Sequence, residues 1–123
     1  MSYHYITTAE LQEQLRDPQC MLIDIRPVEA YNGWKIRRED RSGHIRGARS
    51  LPLKWTRYID WIEIVRSKGI RPDHSLIIYG YDVEGARQVA DRFLRSGYAK
   101  VRIYEQFLSE WNPNPDLPME YLE

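Results

Sequence analysis

Residues 75–87 combine the residue types from which an anion site is built. Ser75-Leu76-Ile77-Ile78-Tyr79 is an apolar, β-branched run that predicts a strand. Gly80-Tyr81-Asp82-Val83-Glu84-Gly85-Ala86-Arg87 follows as a glycine-bounded loop entering a helix-like stretch. A strand, a loop and a helix start aim backbone N–H groups and a positive helix end at one point, where an anion is held. A cysteine there would have a lowered pKa and act as a nucleophile. This loop has none: Gly80 stands where a nucleophile would sit, and Asp82 and Glu84 add carboxylates. Two unit charges ~5 Å apart repel by about 3 kcal/mol at an effective dielectric of ~20. The carboxylates thus cancel much of what the helix start and Arg87 offer, so weak anion binding is expected. Arg87 has two readings, a binding residue or the partner of Asp82 or Glu84 in its own loop. Asp82 as a nucleophile lacks the base or metal cluster that would activate it.

Other residues with chemical potential are scattered. Cys20 and Arg26 are six apart, but the residues between them are hydrophobic, strand-forming and free of glycine. An extended segment rising ~3.3 Å per residue separates its ends by roughly 20 Å, so one anion cannot touch both. Cys20 is read as a core or near-surface thiol. Asp24 and Arg26 point to the same side of a strand and are read as structural, tying the strand end to neighbouring loops. His44, between Gly43 and Ile45, is read as a loop anchor. With one cysteine and three dispersed histidines, neither a metal site nor a cofactor is expected.

Three segments together resemble the rhodanese-like (sulfurtransferase) family. They are Leu22-Ile23-Asp24-Ile25-Arg26-Pro27, the run Gly43-His44-Ile45-Arg46-Gly47-Ala48-Arg49-Ser50-Leu51-Pro52, and the Tyr79 loop with Arg87. Trp111 and Leu117-Pro118 fit as well, and the likeness spans nearly the whole chain. The resemblance implies an α/β fold with a mostly parallel five-stranded sheet and helices on both faces. It also implies that Asp24, Arg26, Gly43, His44 and Gly47 are structural motif positions. In active members the strand ends in a cysteine that carries a persulfide, followed five positions later by an arginine. Here Arg87 is seven positions after Gly80, and alignment from the right-hand end puts Asp82 at the cysteine position. Either way no catalytic residue remains, and Gln106-Phe107 replaces the usual glycine pair before the last helix.

Two functions follow from that resemblance. One is a domain of a thiosulfate sulfurtransferase that lacks the cysteine and packs beside a catalytic rhodanese-like neighbour in the same chain. The other is a stand-alone module that binds a protein partner through Tyr81, Trp34 and Trp55. A weaker third keeps the chain as an enzyme using Cys20.

The composition suits one soluble domain over residues 1–123: 42% apolar and 29% charged residues, with no net charge. No apolar run reaches the ~18 residues of a membrane span, so no membrane partner is expected. No signal peptide is visible at Met1-Ser2-Tyr3-His4, which favours a cytoplasmic protein. The Leu122-Glu123 ending resembles a cloning scar and suggests a domain cut from a longer chain. Charge is uneven. Lys35 to Arg57 holds eight Lys/Arg against Glu39 and Asp40, a local +6. The near-neutral pI and the lack of a basic helix face speak against nucleic acid.

The elements that would position the loop alternate. Thr7-Thr8-Ala9-Glu10 reads as a capping box opening a helix. Met21–Ile25 reads as a buried strand, and Val28–Trp34 as a short helix. Ala48–Leu51 fits a short strand, and Val101–Tyr104 the last one. Trp55, Tyr58, Ile59, Ile62 and Val65 recur at helical spacing, and Ala86, Val89, Ala90, Phe93 and Leu94 predict a second amphipathic helix. Strands alternating with helices give a parallel sheet, with any site beyond its carboxyl edge.

Overall fold

The structure is a computed structural model that describes residues 3–121. Met1, Ser2, Leu122 and Glu123 lie outside the described residues, and with them the expectations placed on the two chain ends. Strands β1 (His4–Tyr5), β2 (Cys20–Asp24), β4 (Arg49–Ser50), β5 (Ser75–Tyr79) and β6 (Val101–Ile103) form one all-parallel sheet in the order β1-β6-β5-β2-β4. A two-stranded antiparallel ribbon joins β3 (His44–Ile45) to β7 (Met119–Glu120). The helices are α1 (Thr8–Gln14), α2 (Val28–Tyr31), α3 (Trp61–Ser67) and α4 (Val83–Arg95). A 3-10 turn at Leu53–Arg57 and a π-helical turn at Phe107–Trp111 complete the chain.

Side chains of a strand alternate between its two faces, and β5 shows what this does here. Leu76 and Ile78 enter one apolar cluster with Ile23, Trp61, Val65, Val89 and Phe93 of β2, α3 and α4. Ile77 and Tyr79 enter the other, with Leu22, Leu11, Tyr104, Phe107 and Trp111. Both faces are therefore covered, as continuous apolar runs in parallel strands require. β2 and β5 pair in register from Cys20 opposite Ser75 to Asp24 opposite Tyr79. Asp24, Tyr79 and the loops after them thus stand together at the carboxyl edge. Cys20 stands at the other.

The capping box forms as read: Thr7 accepts from the Glu10 amide, and the Glu10 carboxylate accepts from the Thr7 amide. The single helix expected through Trp55 and Val65 is instead broken. The 3-10 turn, in which Thr56 Oγ1 donates to the Leu53 carbonyl, ends at an extended Tyr58. Side-chain bonding to a nearby carbonyl competes with a regular helix, and α3 starts afresh at Trp61. Tyr58 and Ile59, expected on a buried face, are consequently exposed, Ile59 almost completely at 99%.

Candidate functional site at the carboxyl edge of the sheet

The edge is organised around a buried arginine. Arg26 lies just past β2 and is 1% exposed. Its Nε and Nη2 donate to Asp24, the latter at 2.7 Å, and Nη2 also donates to the Gly43 carbonyl at 2.6 Å. Its Nη1 stands 3.3 Å from Glu39. Burial alone would lower the pKa of this guanidinium, but the Asp24 carboxylate more than offsets that and holds it above its ordinary value. Tyr79 Oη donates to Asp24 and accepts from the Ile45 amide, and its pKa is pushed up, first by burial and then by Asp24. Every polar atom of this cluster that faces the interior has a partner, as a buried ion pair needs to persist.

Glu39 connects the cluster to the loop after β5. Tyr81 Oη donates to Glu39 Oε2. Burial would raise the Glu39 carboxyl; the hydrogen bonds from Tyr81 and the Arg37 amide, with Arg26, hold it below its ordinary value. The Tyr81 hydroxyl is raised, first by burial and then by that carboxylate. Two guanidinium groups lie over the Tyr81 ring, Arg26 at 5.7 Å and Arg37 at 4.6 Å from its centroid.

Within the loop, Gly80 has no room for a side chain. A Cβ built there would meet Ile25 Cγ1 at 2.7 Å. Asp82 is the N-cap of α4, and its Oδ1 accepts from the Gly85 amide at 2.7 Å. Its carbonyl takes the Ala86 amide. A carboxylate of this chain thus already occupies part of the helix start at which an anion was expected.

Arg87 is a correction. Its side chain leaves the loop, and among the described residues it forms no ion pair with Asp82 or Glu84. Its Nε donates to Tyr5 Oη at 2.8 Å, and its guanidinium lies near the rings of Tyr3 and Tyr5 on the β1 side of the sheet. Five positions into α4, it has turned away from the loop. Val83, Glu84 and Ala86 do not line the cavity either. Val83 and Ala86 pack into the core, and Glu84 is exposed.

A cavity of about 430 Å³ opens beside Tyr81, lined by Ile25, Arg26, Pro27, Glu29, Ile36, Arg37, Pro52, Leu53, Lys54, Asp82 and Gly85. The other motif positions support it from behind. Gly43 has φ +93°, and a Cβ there would strike the Glu120 carbonyl. His44 is stacked on Tyr31 at 3.6 Å, with Nδ1 2.8 Å from the Tyr31 carbonyl and Nε2 3.4 Å from Glu120. The Gly47 amide donates to Glu120 as well. Among the described residues no three His, Cys, Asp or Glu side chains stand together as metal ligands.

The sequence did not single out Glu39, Tyr79 as an acid's partner, or Asn112. Asn112 is fully buried and fastens the 35–43 loop: its Oδ1 accepts from the Arg41 amide, its Nδ2 donates to the Arg41 carbonyl, and Arg41 Nε donates to the Asn112 carbonyl. No short-range pattern announces such a pairing. Trp34 is exposed at 70%, but Trp55 is half-buried beneath Lys68 and Tyr81 is half-buried against Glu39, so the expected trio is not one exposed patch.

The rhodanese-like domain family matches residues 7–114. The chain belongs to this family. Among relatives of this rhodanese-like domain, the thiosulfate sulfurtransferase YnjE of Escherichia coli (strain K12) is 27% identical over 109 residues, which are 86% of this chain and 25% of YnjE. Wild-type EanB superposes with a TM-score of 0.96 and 43% identity over 99% of this chain and 28% of EanB. EanB with a cysteine persulfide, in a tetrahedral intermediate state with ergothioneine, gives 0.93 and 44% over 97% and 28%. The domain is thus related to thiosulfate sulfurtransferases and shares the α/β fold of its neighbours, while spanning about a quarter of the length of these relatives.

Proposed function

We propose that this rhodanese-like domain is a non-catalytic unit of a sulfurtransferase, packing beside a domain that carries the persulfide cysteine. One observation carries the reading. The chain's single thiol and the loop that would use it are at opposite ends of the sheet. Cys20 pairs with Ser75, and four residue steps of ~3.3 Å along β5 put the Tyr79 end roughly 13 Å away. Burial raises the Cys20 pKa, the opposite of what a nucleophilic thiol needs. At the loop itself, Ile25 closes the Gly80 position and Asp82 caps the helix. The fourfold greater length of the relatives supports a parent chain with room for a catalytic neighbour.

The test is a thiosulfate:cyanide assay of the 123-residue chain and of Cys20→Ser, with mass spectrometry after thiosulfate treatment. Turnover at the blank level and no adduct of about 32 Da, the mass of one sulfur, are expected. Turnover that survives Cys20→Ser would refute the proposal. So would turnover that disappears with Cys20→Ser and is accompanied by that adduct.

A further inference from the structure

We infer that the cavity beside Tyr81 is the receptor for an acidic segment of a partner protein domain, which inserts an apolar side chain flanked by carboxylates. The inference deepens the proposed role as a packing unit and rests on it. The apolar part of the lining is formed by Ile25, Pro27, Pro52, Leu53 and Ile36, and Ile36 remains 45% exposed. Burial of an apolar side chain against such a surface drives association. Two cations stand at the same cavity, Arg37 and Lys54. Both are exposed, and neither side chain has an ion-pair or hydrogen-bond partner among the described residues. Arg37 is also held in position over the Tyr81 ring. Arg26, the third cation, already spends four of its five N–H groups on Asp24, Glu39 and the Gly43 carbonyl, and its charge is paired with two buried carboxylates.

Two carboxylates also line the cavity, Glu29 and Asp82. Asp82 is committed to the Gly85 amide. Glu29 has no side-chain partner among the described residues and opposes an acidic ligand. The chain neighbours of the lining residues decide the sign: Lys35 and Arg38 flank Ile36 and Arg37, and both are exposed. An inorganic anion alone fits poorly, because the Gly85 and Ala86 amides are already taken and an ion would leave the apolar part of the lining uncovered. A nucleic acid calls for a row of cations along its backbone together with stacking rings. Here the nearest ring, Tyr81, already carries a guanidinium over its face.

The probe is a terminally blocked, fluorescein-labelled peptide in which one leucine is flanked by three glutamates on each side. It is titrated by fluorescence polarisation with the 123-residue chain. Saturable binding is expected, falling as NaCl rises from about 50 to 500 mM. The double variant Arg37→Glu/Lys54→Glu is expected to weaken it about tenfold or more, since charge complementarity turns to repulsion. Glu29→Gln is expected to tighten it about twofold, the size of one exposed charge pair. Lys100→Glu, which changes net charge away from this cavity, should leave it unchanged. Equal thermal midpoints for all variants show that folding is intact. No saturation by about 1 mM protein would overturn the inference. Equal affinity for the double variant would do the same, as would binding of a single-stranded oligonucleotide or of phosphatidylserine vesicles in preference to the peptide. Sulfurtransferase turnover sinks the non-catalytic reading whatever the peptide does, and a failed titration leaves that reading standing.

Discussion

Replacing Arg26 by Met tests whether the buried ion pair is the structural keystone of the carboxyl edge. Met fills similar volume without charge, so the change isolates the electrostatics. It leaves Asp24, itself fully buried, with only the Tyr79 hydroxyl and its own loop amide as donors. Glu39 keeps Tyr81 and the Arg37 amide but loses its cation. Removing one partner of a buried pair costs about 3–5 kcal/mol, chiefly because the other charge stays buried and uncompensated. An unfolding entropy of about 2.1 cal/mol/K per residue gives roughly 0.26 kcal/mol/K for 123 residues. The midpoint of thermal unfolding should then fall by about 12–19 °C, measured by circular dichroism at pH 7. A second variant separates lost attraction from orphaned charge. Asp24→Asn/Arg26→Met removes both ions, so it should be less destabilised than the sum of its single variants. A fall of less than about 3 °C for Arg26→Met, or strict additivity in the cycle, would show that this cluster does not hold the edge together.

Four further outcomes are expected. Glu39→Gln should destabilise the domain at pH 7. Because the folded carboxyl lies below its ordinary value of 4.5, its stabilisation is present above that value and lost as pH falls through the folded one, so the gap to wild type narrows in acid. Chemical unfolding at pH 7 and at about pH 4 measures it, and a gap that widens in acid would contradict the assignment. Gly80→Ala should cost about 1–3 kcal/mol from its overlap with Ile25 Cγ1, and that cost should shrink in an Ile25→Ala background, where the atom is gone; equal stability of Gly80→Ala and wild type in urea would show the position is open. Asp82→Ala should cost about 1 kcal/mol through loss of the cap, with Asp82→Ser recovering most of it in the same titration. The rate of Cys20 alkylation by iodoacetamide should rise with a midpoint above that of a free thiol, and a midpoint below it would point to an activated cysteine.

The fold was legible because its signals are local and periodic. The run Leu76-Ile77-Ile78-Tyr79, buried on both faces, and the helical spacing from Ala86 to Phe93 each specify their element, and alternation of such elements specifies a covered parallel sheet. The two-residue strands were not legible in the same way. β1, β3 and β7 are too short to carry a period, and their partners are distant in sequence. At the site, the loop after β5 was found from its glycines and its place after a strand, but the direction of Arg87 was not. Helix phase turns a residue by about 100° per position, and with the cap at Asp82 this carries position 87 to the β1 side. Glu39 looked like one more charge in a basic loop. Only the packed structure shows it beneath Tyr81 and against Arg26, because the contact joins positions 26, 39 and 81.

The Asn112 clamp has a consequence for the order in which the chain organises itself. It binds Arg41 across 71 residues of sequence. The basic loop therefore cannot find its final course until the segment around the π-helical turn has been made and docked. During synthesis, the cavity that borders this loop would be among the last features to take shape, after the β2–β5 ladder behind it has already closed.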